Sequence, residues 1–171
     1  MKKVLKGLLL ITAIVVSVVI YSETTYNPLK IKDFKKLFKG YNGNPDKICG
    51  KDFLGLSARG EFYDVYLYNV YGALIDKNFP NIVEWEDKII SQENIISKWR
   101  HCPLDSISNK LFEFTLNAKN TSDVKCFSSF NKEIINPNNY YCFIHVDELE
   151  QYFLLYCTDK QELYYIRRRG F

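Results

Sequence analysis

The rhythm of hydrophobic and polar positions changes several times along this chain, and each change predicts a different element. The first stretch has no rhythm. Lys2, Lys3 and Lys6 precede an apolar run from Leu8 to Tyr21. A run of about 14 residues behind a basic start has the layout of an export signal and is short of the roughly 20 residues of a membrane-spanning helix. Counting from Val4 lengthens it, with Lys6 snorkelling to the interface. Ser22 suits the position before a cleavage site, although Ile20 is larger than the small residue preferred two places earlier. The expectation is therefore a signal peptide or an uncleaved membrane anchor over residues 1–22, and one exported domain over residues 23–171. Membrane contact would run through residues 4–21 if the leader is retained.

Other leaders fit less well. A lipoprotein needs a cysteine directly after the apolar run, and the first is Cys49. A pilin-like cut after Gly7 would put Thr12 where such proteins carry Glu, and Asn27-Pro28 ends the run too early for a long pilin helix. A buried core helix would not explain the terminal lysines. Lys30, Lys32, Lys35, Lys36 and Lys39 follow the run, so a count of flanking lysines does not orient the segment by itself.

Past the leader, Leu29 to Lys39 places Ile31, Phe34, Leu37 and Phe38 on one helical face. This predicts the first helix of the domain, with its lysines in water, in preference to a helix lying on the membrane. Gly40 to Pro45 is a turn-forming stretch. Glu61 to Tyr71 carries aromatic and branched residues on both faces, as a central strand covered on both sides does. Trp85, Ile89, Ile96 and Trp99 fit one helical face between Ile82 and Trp99, with a break at Ser91 to Asn94. From Leu111 to Asn117 the alternation of Phe112, Phe114 and Leu116 with polar neighbours predicts a half-buried strand.

The last third predicts a meander. Tyr140–Val146, Gln151–Cys157 and Glu162–Arg168 are strand-like runs separated by Asp147-Glu148 and Thr158–Lys160. Phe153, Leu155 and Cys157 fall on one face of the middle strand, and Tyr152, Leu154 and Tyr156 on the other. The whole predicts an α+β domain: an antiparallel sheet of about five strands ending in this meander, with helices packed on one face.

Composition adds three constraints. The thirteen Tyr and twelve Phe suit strands and interfaces alike. A net charge of +3 is too small to argue for a nucleic-acid partner. Five cysteines, Cys49, Cys102, Cys126, Cys142 and Cys157, suggest two disulfides and one free thiol in an exported chain. Cys49 with Cys102 is the preferred first pair because both lie in loop-like stretches. Cys142 with Cys157, or Cys126 with Cys157, would supply the second. None of these spacings matches a redox or zinc motif.

Candidate chemistry is sparse. Ser129-Phe130-Asn131-Lys132 matches S-x-x-K, but the companion motifs S-D-N and K-T-G are absent. Gly55 to Gly60 is one residue too long for a nucleophile elbow. His101 and His145 lack the paired spacing of a zinc site. No catalytic residue, metal ligand or cofactor is assigned. Glu84, Glu86 and Asp87 flank Trp85, while Tyr164 precedes Arg167, Arg168 and Arg169. These eight are the candidate contacts for a protein partner, against the competing reading of solvated charges at the ends of elements. The favoured function is a non-enzymatic exported binding protein, such as an inhibitor or an immunity protein against an envelope-acting toxin. The alternatives are a small envelope hydrolase with dispersed catalytic residues and a structural accessory of an envelope machine.

Overall fold

The computed structural model describes residues 2–55, 57, 59–85, 88–89, 95–115, 124–147 and 149–170. Helix α1 covers Lys2–Thr25. The apolar side chains described on it, from Leu8 to Val18, are exposed. Among the described residues no helix is long and apolar enough to cross a membrane.

The domain is α+β and centres on a seven-stranded antiparallel sheet. Its members are β1 (Asp46–Asp52), β2 (Phe62–Asn69), β5 (Ile95–Ile96), β6 (Arg100–His101), β7 (Tyr140–Asp147), β8 (Glu150–Cys157) and β9 (Glu162–Arg169). The order is β1-β2-β9-β8-β7-β5, and β6 also pairs with β7. Strands β3 (Glu84–Trp85) and β4 (Lys88–Ile89) form a separate hairpin. The expected C-terminal meander is β7-β8-β9, and β2 docks on β9 so that β9 and β8 lie in the middle.

Burial on both sides follows from the strand sequences. In β8 every residue is buried. Tyr152, Leu154 and Tyr156 enter one core with Tyr66, Tyr68, Trp85 and Trp99. Phe153, Leu155 and Cys157 enter a second with Val65, Leu67, Phe127 and Phe130. Such strands read as continuous apolar runs because neither face meets water.

Two covers, not one, enclose this sheet. Helix α2 (Ile31–Leu37) packs Phe34 and Leu37, with Phe38 just past its end, into the first core. Helix α3 (Ser106–Thr115) and the helical turn Phe130–Glu133 pack Leu111, Phe112 and Phe130 into the second. Helices therefore lie on both faces, which corrects the expectation of one.

Two further expectations are corrected. The segment predicted as a strand from Leu111 is the last part of α3, and residues 116 and 117 lie outside the described residues. Phe112, the seventh residue of α3, is half-buried against the second core, and a helical face brings it there as well as alternation would. Between Ile82 and Trp99 the described residues form the short strands β3, β4 and β5 in place of a helix. Trp85 and Trp99 do reach one core, but extended backbone delivers them there.

The single disulfide joins Cys49 to Cys126. It ties edge strand β1 to the 3-10 turn Lys125–Phe127 on the second cover. The pairing of Cys49 with Cys102 is thereby corrected. Cys102, Cys142 and Cys157 are buried free thiols. Cys142 sits in the first core and Cys157 in the second, so the sheet itself separates that pair. Gly50, next to the disulfide, lies flat against the Tyr66 ring: a Cβ there would stand 2.4 Å from Cδ1 of Tyr66.

Candidate functional site

Two places on the domain combine exposed or charged groups with a rigid support. The first is the β3-β4 hairpin. Trp85 is 1% exposed. Its indole N–H donates to the Tyr165 hydroxyl at 3.2 Å, and its ring meets Tyr152 and Tyr165 edge-on at 6.2 and 6.0 Å. Buried indoles are held by such a polar handle. Helix α2 grips the hairpin from the other side. Lys36 Nζ donates to the Glu84 carbonyl at 2.7 Å and to Asp33 Oδ1 at 3.3 Å, while Lys32 pairs with the Glu84 carboxylate at 3.5 Å. Asp33 is buried, and it also caps α2 by accepting the Lys30 N–H.

With Trp85 turned inward, the register turns its neighbours outward. Glu84 faces Ile89 across the hairpin. Ile89 is 88% exposed and Val83 72% exposed. Isolated exposed aliphatics are ordinary on protein surfaces. Val83, just before β3, and Ile89, in β4, thus expose apolar area on either side of Glu84, one along the chain and one across the hairpin.

The second place is a charged row at one end of the sheet. Asp64, Arg167 and Tyr152 are register neighbours on β2, β9 and β8. Asp64 Oδ2 accepts from the Arg167 guanidinium and, at 3.2 Å, from the Tyr66 hydroxyl. Arg167 lies between the rings of Phe62 and Tyr26, its Cζ 4.6 and 5.3 Å from their centroids. Burial pushes the Asp64 carboxyl up to about 6, with Arg167 opposing and the Asp52 carboxylate reinforcing the rise. Asp52 is the register partner of Asp64 on β1. Asp64 Oδ1 is buried with no hydrogen-bond partner among the described residues. One row outward, buried Glu150 accepts from Tyr152 and pairs with Arg169 at 3.3 Å.

The six described sequence candidates for partner contact are thus distributed over both faces. Trp85 is a core side chain of the first face and Tyr164 of the second. Tyr164 exchanges a hydrogen bond with Ser129 Oγ at 2.9 Å. Arg167 and Arg169 serve carboxylates on the first face, whereas Arg168 stacks over Tyr63 of the second core at 5.3 Å. Glu84 is half-exposed on the hairpin. Glu86 and Asp87 lie outside the described residues.

The motif candidates have structural employment. Ser129 is tied to Tyr164, and Lys132 one turn later is exposed. His101 places Nδ1 3.1 Å from the Pro137 carbonyl. His145 pairs with Gln151 and Ile95 in the sheet. Among the free thiols, burial raises Cys102 to about 12 and raises Cys142 and Cys157 as well, which suppresses thiolate chemistry.

Sequence reasoning missed Asp64, although a signal existed. A carboxylate inside a strand read as covered on both faces requires a cationic partner, and the only arginine triplet lies in the final strand. Val83 and Ile89 were missed because a helical reading of their segment made Ile89 a core residue. Comparison with protein-family models, with curated proteins and with solved structures gives no match.

Proposed function

We propose that this is an exported binding protein of the bacterial envelope, of the inhibitor or immunity type, which engages a protein partner through the β3-β4 hairpin. One observation carries the reading: the exposed Val83 and Ile89 flank Glu84 at a hairpin that the buried Trp85 and the Lys36 hydrogen bond fasten to the domain. Binding surfaces concentrate their energy in a few apolar side chains that are already in place before the partner arrives. Export is supported by the basic-then-apolar leader and by the Cys49–Cys126 disulfide, a bond that persists in oxidising compartments.

The test is an affinity pull-down of the tagged full-length protein from its own cells, with mass spectrometry of what accompanies it. A parallel bait carries Val83→Glu and Ile89→Glu. One stoichiometric partner with the wild type, lost with the variant, supports the proposal. A bait with no protein partner sinks the binding reading, and a partner that the variant retains sinks the hairpin as its contact.

A further inference from the structure

Immediately after α1 the chain does not run free. Lys47 Nζ donates to the Tyr26 carbonyl at 2.6 Å, and Arg167 Nη2 donates to the Tyr26 hydroxyl at 2.9 Å. The Tyr68 hydroxyl donates to Asn27 Oδ1 at 2.7 Å. Pro28 is buried, and Leu29 reaches the first core beside Phe34. Three strands, β1, β2 and β9, therefore hold Tyr26 and Asn27, and Pro28 and Leu29 are buried behind them before α2 begins.

The Arg167 fastening draws on the charged row beneath it. Arg167 is positioned for Tyr26 because Asp64 anchors its guanidinium from below and Phe62 flanks it. A buried guanidinium needs both a counter-charge and acceptors for its remaining N–H groups, and the Tyr26 hydroxyl is one of those acceptors. Burial pushes the Lys47 ammonium down, as expected of a lysine drawn inward to serve a carbonyl.

We infer that Tyr26–Leu29 is a docked strap belonging to the folded domain, which couples the sheet directly to the end of α1 and confines any cut that frees the domain to positions before Tyr26. Helix α1 ends at Thr25, so helix and strap are contiguous. A retained α1 then carries the domain on a fixed joint and not on a flexible tether. A cut after Ser22, where the sequence places it, removes none of the strap.

Limited proteolysis of the full-length protein tests this, with chymotrypsin and the rate of cleavage after Tyr26 as the readout. The comparison is with Asn27→Ala/Lys47→Met, which removes two surface fastenings and leaves the Asp64–Arg167 pair in place. A second variant inserts Gly-Ser-Gly-Ser between Thr25 and Tyr26, which should leave the strap docked. Docking predicts wild-type cleavage at least tenfold slower than in the urea-unfolded chain. The double variant should be cut at least tenfold faster than wild type, and the insertion variant at the wild-type rate. Equal rates for wild type and double variant, or wild-type cleavage at the unfolded rate, would overturn the strap. Slow cleavage after Tyr26 that the insertion alone abolishes would overturn it too, because protection would then come from α1.

Discussion

Removing the disulfide should be among the most damaging changes to this domain that leave its hydrophobic cores untouched. Cys49 and Cys126 are 77 residues apart in sequence, and closing a loop of that length in the unfolded chain removes about 4.5 kcal/mol of conformational entropy at room temperature on the chain-entropy model. The loop encloses β2, the β3-β4 hairpin and α3, so no local element supplies the same closure. Replacing both cysteines by serine keeps the side chains near the same volume and isolates the crosslink. The loss is expected at about 3–4.5 kcal/mol, the lower end allowing for residual structure in the unfolded chain. With a urea dependence of about 2 kcal/mol per molar, the midpoint should fall by about 1.5–2.3 M. The assay is urea unfolding followed by tyrosine and tryptophan fluorescence, on protein prepared under oxidising conditions. Cys102→Ser serves as a control, since Cys102 is buried but unbonded and its substitution leaves the loop closed. A double variant within 1 kcal/mol of wild type would refute the reasoning. So would peptide mapping that finds Cys49 joined to Cys102.

Other consequences follow from single contacts. Gly50→Ala should cost about 1–3 kcal/mol in urea unfolding, because a Cβ 2.4 Å from the Tyr66 ring forces the ring or the strand to move; a neutral result would mean that β1 shifts freely. Trp85→Ala should cost about 3–5 kcal/mol, since it empties a site 1% exposed and leaves the Tyr165 hydroxyl without its indole donor; a smaller loss would show that the hairpin is not anchored there. Asp64 binds its proton more tightly in the folded protein, at about 6, than in the unfolded chain. Its contribution is therefore present below about pH 4 and lost as pH rises through about 6, by up to roughly 3 kcal/mol. Stability measured from pH 4 to 7 should show this decline relative to Asp64→Asn, and parallel profiles would contradict it. Cys102, Cys142 and Cys157 should resist iodoacetamide at pH 7.5 in the folded protein and react once it is unfolded, as intact mass would record.

What could be read from residues alone was decided by dense local signals. The α2 face of Phe34, Leu37 and Phe38, the central strand β2 and the β7-β8-β9 meander each carry enough apolar residues in one period to name their element. In β8 the division of Tyr152, Leu154 and Tyr156 from Phe153, Leu155 and Cys157 follows from extended geometry itself, in which side chains alternate at every residue. Shorter or mixed segments were decided elsewhere. Trp85 and Trp99 are spaced as if on a helix, yet each is drawn into the same core from extended chain, because core volume and not local period chooses their backbone. The stretch from Leu111 alternates as a strand does but closes a helix over the second core.

The disulfide and the charged row depend on the fold more completely. Cys49 meets Cys126 because β1 lies at the sheet edge while the Lys125–Phe127 turn covers the face beside it. Neither fact is local. Asp64 and Arg167, 103 residues apart, become neighbours through the pairing of β2 with β9. Strand pairing over such a separation is a property of topology, on which no window of sequence bears. The sequence by itself determined the composition of the sheet and the two-sided burial of its central strands. Only the tertiary structure decided which cysteines bond, which carboxylate each arginine serves, and that Val83 and Ile89 face water while Trp85 does not.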